Sequence, residues 1–328
     1  AGNTVILKPS ELTPNTSKIV ENIIKTVFEE TLVAVIQGDA KVAQELLKEQ
    51  WDYIFFTGSV NVGKVVAQAA AQFLTPTTLE LGGKNPCIID ETANIKLAAK
   101  RITWGKFFNG GQTCIAPDYI IIHNSVKQQF IEALRNEIEA SYSSNPKESA
   151  DFARIINSRN FLRLAKMLKN EQVIIGGEID EEKLYIAPTI IDEPSLESEV
   201  MKDEIFGPIL PILRYSNEDD ISKIILRYHE PLSLYVFSTN RKFSKKMIST
   251  YSFGGGAIND TVIHFGNPKL PFGGVGLSGT GAYHGKHTFY TFSHQKAIVK
   301  KGNWLDIPVR YAPYKGKTKL IKLFLKYF

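Results

Sequence analysis

Two side chains in the stretch from Thr78 to Cys114 could do covalent chemistry: the thiol of Cys114 and the carboxylate of Glu80. Cys114 follows Asn109-Gly110-Gly111-Gln112-Thr113, a glycine turn that lets backbone amides approach a reacting oxygen. Glu80 lies in Leu79-Glu80-Leu81-Gly82-Gly83-Lys84, which reads as a strand ending in a glycine pair. Side chains alternate along a strand, so Glu80 points away from Leu79 and Leu81. A carboxylate in so apolar a segment costs free energy unless it has a partner or a task. A thiol with a separate carboxylate suits covalent catalysis, in which one attacks and the other activates water or the thiol itself. The same residues also fit a capped strand with a satisfied glutamate and an inert cysteine.

The elements that must position these groups are legible in the periodicity. Val5-Ile6-Leu7 reads as a strand, and Thr13-Pro14 starts a helix whose Ile19, Val20, Ile23, Ile24, Val27 and Phe28 recur at helical spacing. Strands at Leu32–Ile36, Tyr53–Phe56 and Leu79–Leu81 alternate with further helices. This order predicts one parallel sheet with right-handed crossovers. Ligands of such sheets bind at the carboxyl ends of the strands, where Lys8, Glu11, Gly58, Ser59 and Glu80 fall. Phe56-Thr57-Gly58-Ser59-Val60-Asn61-Val62-Gly63 is not a GxGxxG fingerprint, yet it feeds a glycine turn into a helix N-terminus. Such a turn either packs closely or seats a diphosphate on free amides. After Gly83 the alternation restarts and predicts a second α/β domain, ending in glycine-rich segments around Phe253-Gly254-Gly255-Gly256 and Pro271–Gly279. Phe289–Val299 alternates like a late edge strand that pairs outside its own domain. The predicted boundaries are 1–82 for the first domain, 83–284 for the thiol domain, 285–300 for a bridging strand and 301–328 for a basic tail.

Length and composition set the limits. The 328 residues are 43% hydrophobic and 22% charged, the balance of a globular protein with room for two cores. The net charge of +5 is concentrated at one end, because Lys300, Lys301, Lys315, Lys317, Lys319, Lys322 and Lys326 all follow Val299. The body is close to neutral, which argues against a nucleic-acid footprint. Two cysteines, Cys87 and Cys114, without ligand spacing exclude a disulfide framework or structural zinc site and point to a reducing, cytoplasmic setting. No apolar run approaches the roughly 18 residues of a membrane span. Leu320, Leu323, Phe324 and Tyr327 share one helical stripe, and Lys315, Lys319, Lys322 and Lys326 another. Such a segment can lie on an anionic membrane surface or dock as a tail helix.

Five motifs in series resemble the aldehyde dehydrogenase superfamily: Lys8-Pro9-Ser10-Glu11, Phe56-Thr57-Gly58-Ser59, Leu79–Lys84, Gly111-Gln112-Thr113-Cys114 and Glu204-Ile205-Phe206-Gly207-Pro208. Ile258-Asn259-Asp260-Thr261, Leu270–Gly276 and Tyr283-His284-Gly285-Lys286 are similar to its class 3 branch, which takes fatty and aromatic aldehydes. The resemblance implies a Rossmann-like cofactor domain beside an α/β catalytic domain, an NAD or NADP cofactor and a homodimer. It implies that Cys114 forms a thiohemiacetal and then a thioester, and that Glu80 is the base that hydrolyses the thioester. Lys8 and Glu11 would hold the adenine ribose, Gly58, Ser59 and Gly63 the diphosphate, and Glu204 and Phe206 the nicotinamide end, with Leu81 also in contact. No metal is implied.

Family members carry a further segment before the Lys8 motif, about a hundred residues and so the size of a small domain. It includes an asparagine that shares the oxyanion hole. Losing one such donor costs on the order of 100- to 1000-fold in turnover. The chain therefore reads as the C-terminal portion of an aldehyde dehydrogenase. Two other readings compete: a cofactor-independent thioester or ester hydrolase using Cys114 and Glu80, and an inactive fragment acting through association. Cofactor choice stays open, since Lys8 suits a 2′-phosphate and Glu11 repels one.

Overall fold

Buried apolar runs bounded by turn residues lay out the chain as predicted, with a few exceptions. The computed structural model describes residues 1–327. Phe328, the last residue of the predicted tail, lies outside the described residues, as does the side chain of Phe324. The first half runs β1 (Val5–Leu7), α1 (Pro14–Val27), β2 (Val33–Val35), α2 (Ala40–Leu46), β3 (Ile54–Thr57), α3 (Val60–Ala71) and β4 (Thr77–Glu80). The second half continues β5 (Pro86–Ile89), α4 (Ile95–Phe107), β6 (Tyr119–His123), α5 (Lys127–Tyr142), α6 (Ser158–Met167), β7 (Val173–Ile175), β8 (Ile179–Asp180), β9 (Tyr185–Ile186) and β10 (Thr189–Asp192). It ends with α7 (Glu199–Lys202), β11 (Ile209–Tyr215), α8 (Glu218–Ile225), β12 (Ser233–Phe237), α9 (Arg241–Thr250), β13 (Gly255–Ile258), β14 (Gly279–Thr280) and α10 (Gly285–Thr291).

The first half does not form one continuous sheet. β1 pairs with β2 in parallel, Val5 opposite Val33, while β3 pairs with β4, Ile54 opposite Thr77. β2 and β3 are not neighbours, and β4 takes β14 as its second, antiparallel partner, Gly279 opposite Glu80. The stripe on α1 is also not buried: Ile19, Ile23 and Val27 are 59%, 56% and 64% exposed, and Ser17 and Glu21 face inward instead. Two strands of three residues offer too little surface to cover a helix of 14.

The second half is built on a seven-stranded sheet in the order β13-β12-β5-β6-β11-β10-β7, parallel except for β7. Its central strands are wholly apolar, including Cys87-Ile88-Ile89 and Ile120-Ile121-Ile122, because both faces are covered. α4 and α5 pack on one face through Ala98, Ile102, Phe130 and Leu134. α6, α8 and α9 pack on the other through Phe161, Leu164, Ile221 and Met247. Each of the larger of these side chains stabilises the fold by roughly 1.5–3 kcal/mol through burial.

This sheet puts its chemistry-bearing segments at the amino-terminal edge. β4 passes through Leu81–Asn85 into the start of β5, α4 returns to Cys114 just before β6, and the Glu204 segment leads into β11. The carboxyl ends of β3 and β4 therefore converge on the starting ends of β5, β6 and β11.

The predicted strand from Phe289 to Val299 is not formed. Residues up to Thr291 belong to α10, and no strand occurs from Phe292 to Val299 among the described residues. The hydroxyl of Thr288 accepts the His284 amide and that of Thr291 donates to Ala282 O, so local bonds favour the helix over an unpaired edge.

By its contacts the chain forms a large unit, Ala1–Ser293, and a small one, His294–Phe328. The small unit contains α11 (Thr318–Phe324), preceded by Lys317, whose ammonium donates to Pro308 O and Tyr311 O, each at 2.9 Å. Leu320, Leu323, Leu325 and Tyr327 are exposed. No helix among the described residues is long and apolar enough to cross a membrane.

Candidate active site

The turn before the thiol is left-handed at three successive residues, Asn109, Gly110 and Gly111, with φ of 53°, 62° and 73°. Gly111 is required there for space as well, because a Cβ would stand 2.3 Å from Gly207 O. The Gln112 side chain braces the turn: its amide nitrogen donates to Asn109 O and Arg154 O, and its oxygen accepts the Ile156 amide. Asn85 then clamps the thiol segment. Its Nδ2 donates to Cys114 O at 2.8 Å and Ala116 O at 3.0 Å, and its Oδ1 accepts the Ser233 amide at 2.8 Å.

Cys114 is half-buried and packs with Ile115, Leu232, Phe272, Val262 and Tyr283, an apolar wall. Burial pushes its thiol up to about 11, and the charges of Glu204 and Glu80 push the same way. The nearby backbone amides of Cys114 and Ile115 oppose this rise. The thiol is therefore uncharged at neutral pH and needs a nearby positive charge to ionise.

Glu80 ends β4 and is 3% exposed. Neither carboxyl oxygen has a hydrogen-bond partner among the described residues, and burial raises the group to about 8. Its neighbours Leu79 and Leu81 face the opposite way, packing with Val66 of α3. Glu80 O accepts the Gly58 amide at 3.0 Å, which joins the turn after β3 to the end of β4.

Glu204 reaches over the same glycine pair. A Cβ on Gly82 would lie 1.9 Å from its Oε2, and the Gly83 backbone amide favours its charged form. Burial raises this carboxyl to about 8, Asp118 adds to the rise, and Arg163 and Lys106 oppose it. Phe206 is left partly exposed with φ of 47°. The Glu204 segment is held by Arg163, whose guanidinium donates to Ile205 O at 2.7 Å, and by Asp118, whose Oδ1 accepts the Ile205 amide at 2.9 Å.

The fold thus gathers Cys114, Glu80 and Glu204, with Gly58 tied on by its amide, while the Leu81 side chain packs on α3 instead. Apart from Phe206, which follows Glu204, the remaining predicted residues lie on the first half. Ser59 caps α3 by accepting the Val62 amide at 3.4 Å, while the α3 amides before it lack intrahelical acceptors and fit an anion such as a diphosphate. Gly63 gives close packing: a Cβ there would stand 2.6 Å from Leu81 Cδ2. Lys8 and Glu11 pair with each other at 2.7 Å and make no hydrogen bond to the rest of the set among the described residues.

Sequence reasoning passes over Asn85, Asp118, Arg163 and Lys106. Asn85 and Asp118 had a signal: each stands at the entrance of an all-apolar strand, where a buried polar group must find a partner. Lys106 is fully buried on α4, and burial lowers its ammonium to about 8.

Residues 1–298 match the model of the aldehyde dehydrogenase family. The chain is 50% identical over 328 residues to the 4,4'-diaponeurosporen-aldehyde dehydrogenase of Staphylococcus aureus (strain NCTC 8325 / PS 47), covering 99% of this chain and 72% of that protein. It is 48% identical to aldehyde dehydrogenase family 3 member A2 of Macaca fascicularis, covering 92% of this chain but only 62% of that protein, less than two thirds of its length. It is 45% identical to the dimeric NADP-preferring aldehyde dehydrogenase of Rattus norvegicus, covering 97% of this chain and 70% of that protein. The solved substrate-bound state of Staphylococcus aureus AldH superposes with a TM-score of 0.95 at 49% identity, covering 99% of this chain and 71% of that one.

Proposed function

Because the chain belongs to the aldehyde dehydrogenase family, we propose that its natural protein oxidises an apolar aldehyde to the carboxylic acid with NAD or NADP, through Cys114. The observation that carries this reading is the thiol on its braced turn beside a buried carboxyl, Glu80, that has no partner of its own.

NAD or NADP, when bound, supplies the acceptor for the aldehyde hydride. Cys114, once its thiol proton has passed to water, attacks the carbonyl carbon as the thiolate and forms the carbon–sulfur bond of a thiohemiacetal, whose oxygen takes up the negative charge. The Cys114 and Ile115 amides are on hand to stabilise charge at the reacting atoms. After oxidation the carbon is a thioester. Glu80, as the carboxylate, takes a proton from water, which attacks the thioester carbon; the carbon–sulfur bond breaks, releasing the acid and leaving Cys114 as the free thiolate. The wall of Ile115, Leu232, Phe272, Val262 and Tyr283 suits an alkyl or aromatic substituent and offers no charged group to a polar one.

Glu204 and Phe206 would face the nicotinamide end, the opening amides of α3 with Ser59 the diphosphate, and Lys8 with Glu11 the adenine ribose. The Lys8–Glu11 pair leaves the choice between NAD and NADP to measurement. A homodimer is the assembly that fits best, in keeping with the dimeric rat relative. The exposed leucines and lysines of the small unit support contact with an anionic membrane surface.

The test is NAD(P)H appearance with a medium-chain aldehyde, for the natural gene product and its Cys114→Ala variant. Loss of cofactor reduction and of ester hydrolysis in the variant is the expected result. A variant that still reduces NAD or NADP refutes the assignment. Ester hydrolysis without any cofactor reduction in the unsubstituted protein favours the hydrolase reading.

A further inference from the structure

Lys84 and Asp118 form a buried ion pair, Nζ to Oδ2 2.6 Å, with side chains 3% and 4% exposed. Such a pair rarely adds stability, because desolvating both charges costs about as much as their attraction returns. Its partners suggest another role. The Lys84 ammonium has three protons, and three acceptors take them: Asp118 Oδ2, Val200 O at 2.8 Å and Asp203 O at 3.1 Å. The other Asp118 oxygen accepts the Ile205 amide at 2.9 Å. The pair therefore grips the residue before Glu204 by its carbonyl and the residue after it by its amide.

The two ends of the pair are anchored in the reacting segments. Lys84 directly follows Gly82-Gly83, the backbone on which the Glu204 carboxyl lies. Asp118 follows Cys114 by four residues and directly precedes β6, and its own amide donates to Asn85 O at 2.8 Å. Asn85 is the clamp on Cys114. One connected set of bonds thus links the thiol turn, the end of the Glu80 strand and the Glu204 segment.

We propose that Lys84 and Asp118 are positioning residues that hold Glu204 in register with Cys114. The proposal rests on the dehydrogenase reading above. Both side chains are buried and their hydrogen bonds go to each other and to backbone atoms. Its effect is confined to the step that needs Glu204, so cofactor-dependent turnover depends on it more than cofactor-independent ester hydrolysis at Cys114 does.

Removing one charge alone would strand the other in the interior and unfold the protein for an unrelated reason. The informative variant is Lys84→Met/Asp118→Leu in the natural gene product, which removes both charges at similar volume. Expected is a folded protein whose KM for NAD(P) rises or whose kcat falls by about ten- to a hundredfold, as small misplacements of a reacting group do. Its loss in ester hydrolysis should be several times smaller. Unchanged cofactor kinetics overturn the proposal. A parallel loss of both activities overturns it too, since that is what a general loosening would give. Failure of the double variant to fold would assign the pair to the fold alone. If the unsubstituted protein reduces neither NAD nor NADP, it is the function reading that fails.

Discussion

Glu204 rests on Gly82 with no room for a single added carbon, since a Cβ would come within 1.9 Å of its Oε2. The glycine at this position is thus a seat for the carboxyl as much as a flexible link. Gly82→Ala should push the Glu204 side chain away while leaving the strand before it paired. We expect the KM for NAD(P) to rise, with turnover falling on the order of 100-fold. Steady-state kinetics with varied cofactor would measure this, and wild-type values would show that Glu204 is not needed where it lies.

Glu80→Gln keeps the shape of the side chain and removes its ability to take a proton. The attack by Cys114 should survive, so an acyl-enzyme should accumulate while release of acid slows by about 10²- to 10⁴-fold. Intact mass after mixing with aldehyde and cofactor would reveal the adduct. Acid released at the normal rate would remove Glu80 from the hydrolytic step.

The raised carboxyls predict two pH effects. Glu80 becomes a base only as pH rises through about 8, and Cys114 ionises only toward about 11. Cofactor-independent ester hydrolysis should therefore climb with pH across both values. Stability should run the other way. In the folded state Glu80 and Glu204 keep their protons until about 8, whereas in the unfolded chain they lose them near 4.5. The unfolded state binds fewer protons across that window, so stability is highest below it and falls as pH rises through it. Melting temperatures across the window would check this, and Glu80→Gln should flatten part of the slope.

The tail makes a separate prediction. The natural protein should bind vesicles containing anionic lipid, lose that binding as salt is added, and lose it when residues 315–328 are deleted. Sedimentation with vesicles would measure it. Binding that persists after the deletion would place the membrane contact elsewhere.

The sequence made Cys114 and Glu80 visible because each sits in a compact motif of turn glycines and apolar strand, whereas Glu204 was visible only through the family motif it opens. It did not make Asn85, Asp118 or Lys84 visible as a group. Their partners are 29 to 148 residues away, and no local pattern records a bond of that reach. The alternation of strands and helices came through almost entire, since apolar period follows directly from burial. The Phe289–Val299 alternation predicts a paired edge, yet whether an edge is paired depends on what the rest of the chain brings to it. The split between β2 and β3 is of the same kind: strand identity was legible and strand neighbourhood was not.

Because β5, β6, β11 and β12 all begin at the reacting edge, they all finish, at Ile89, His123, Tyr215 and Phe237, on the far side of the sheet. None of the residues assigned a task above lies there. That rim is where a fluorophore, an affinity handle or a tether to a solid support could be placed to watch or immobilise the protein without disturbing its chemistry.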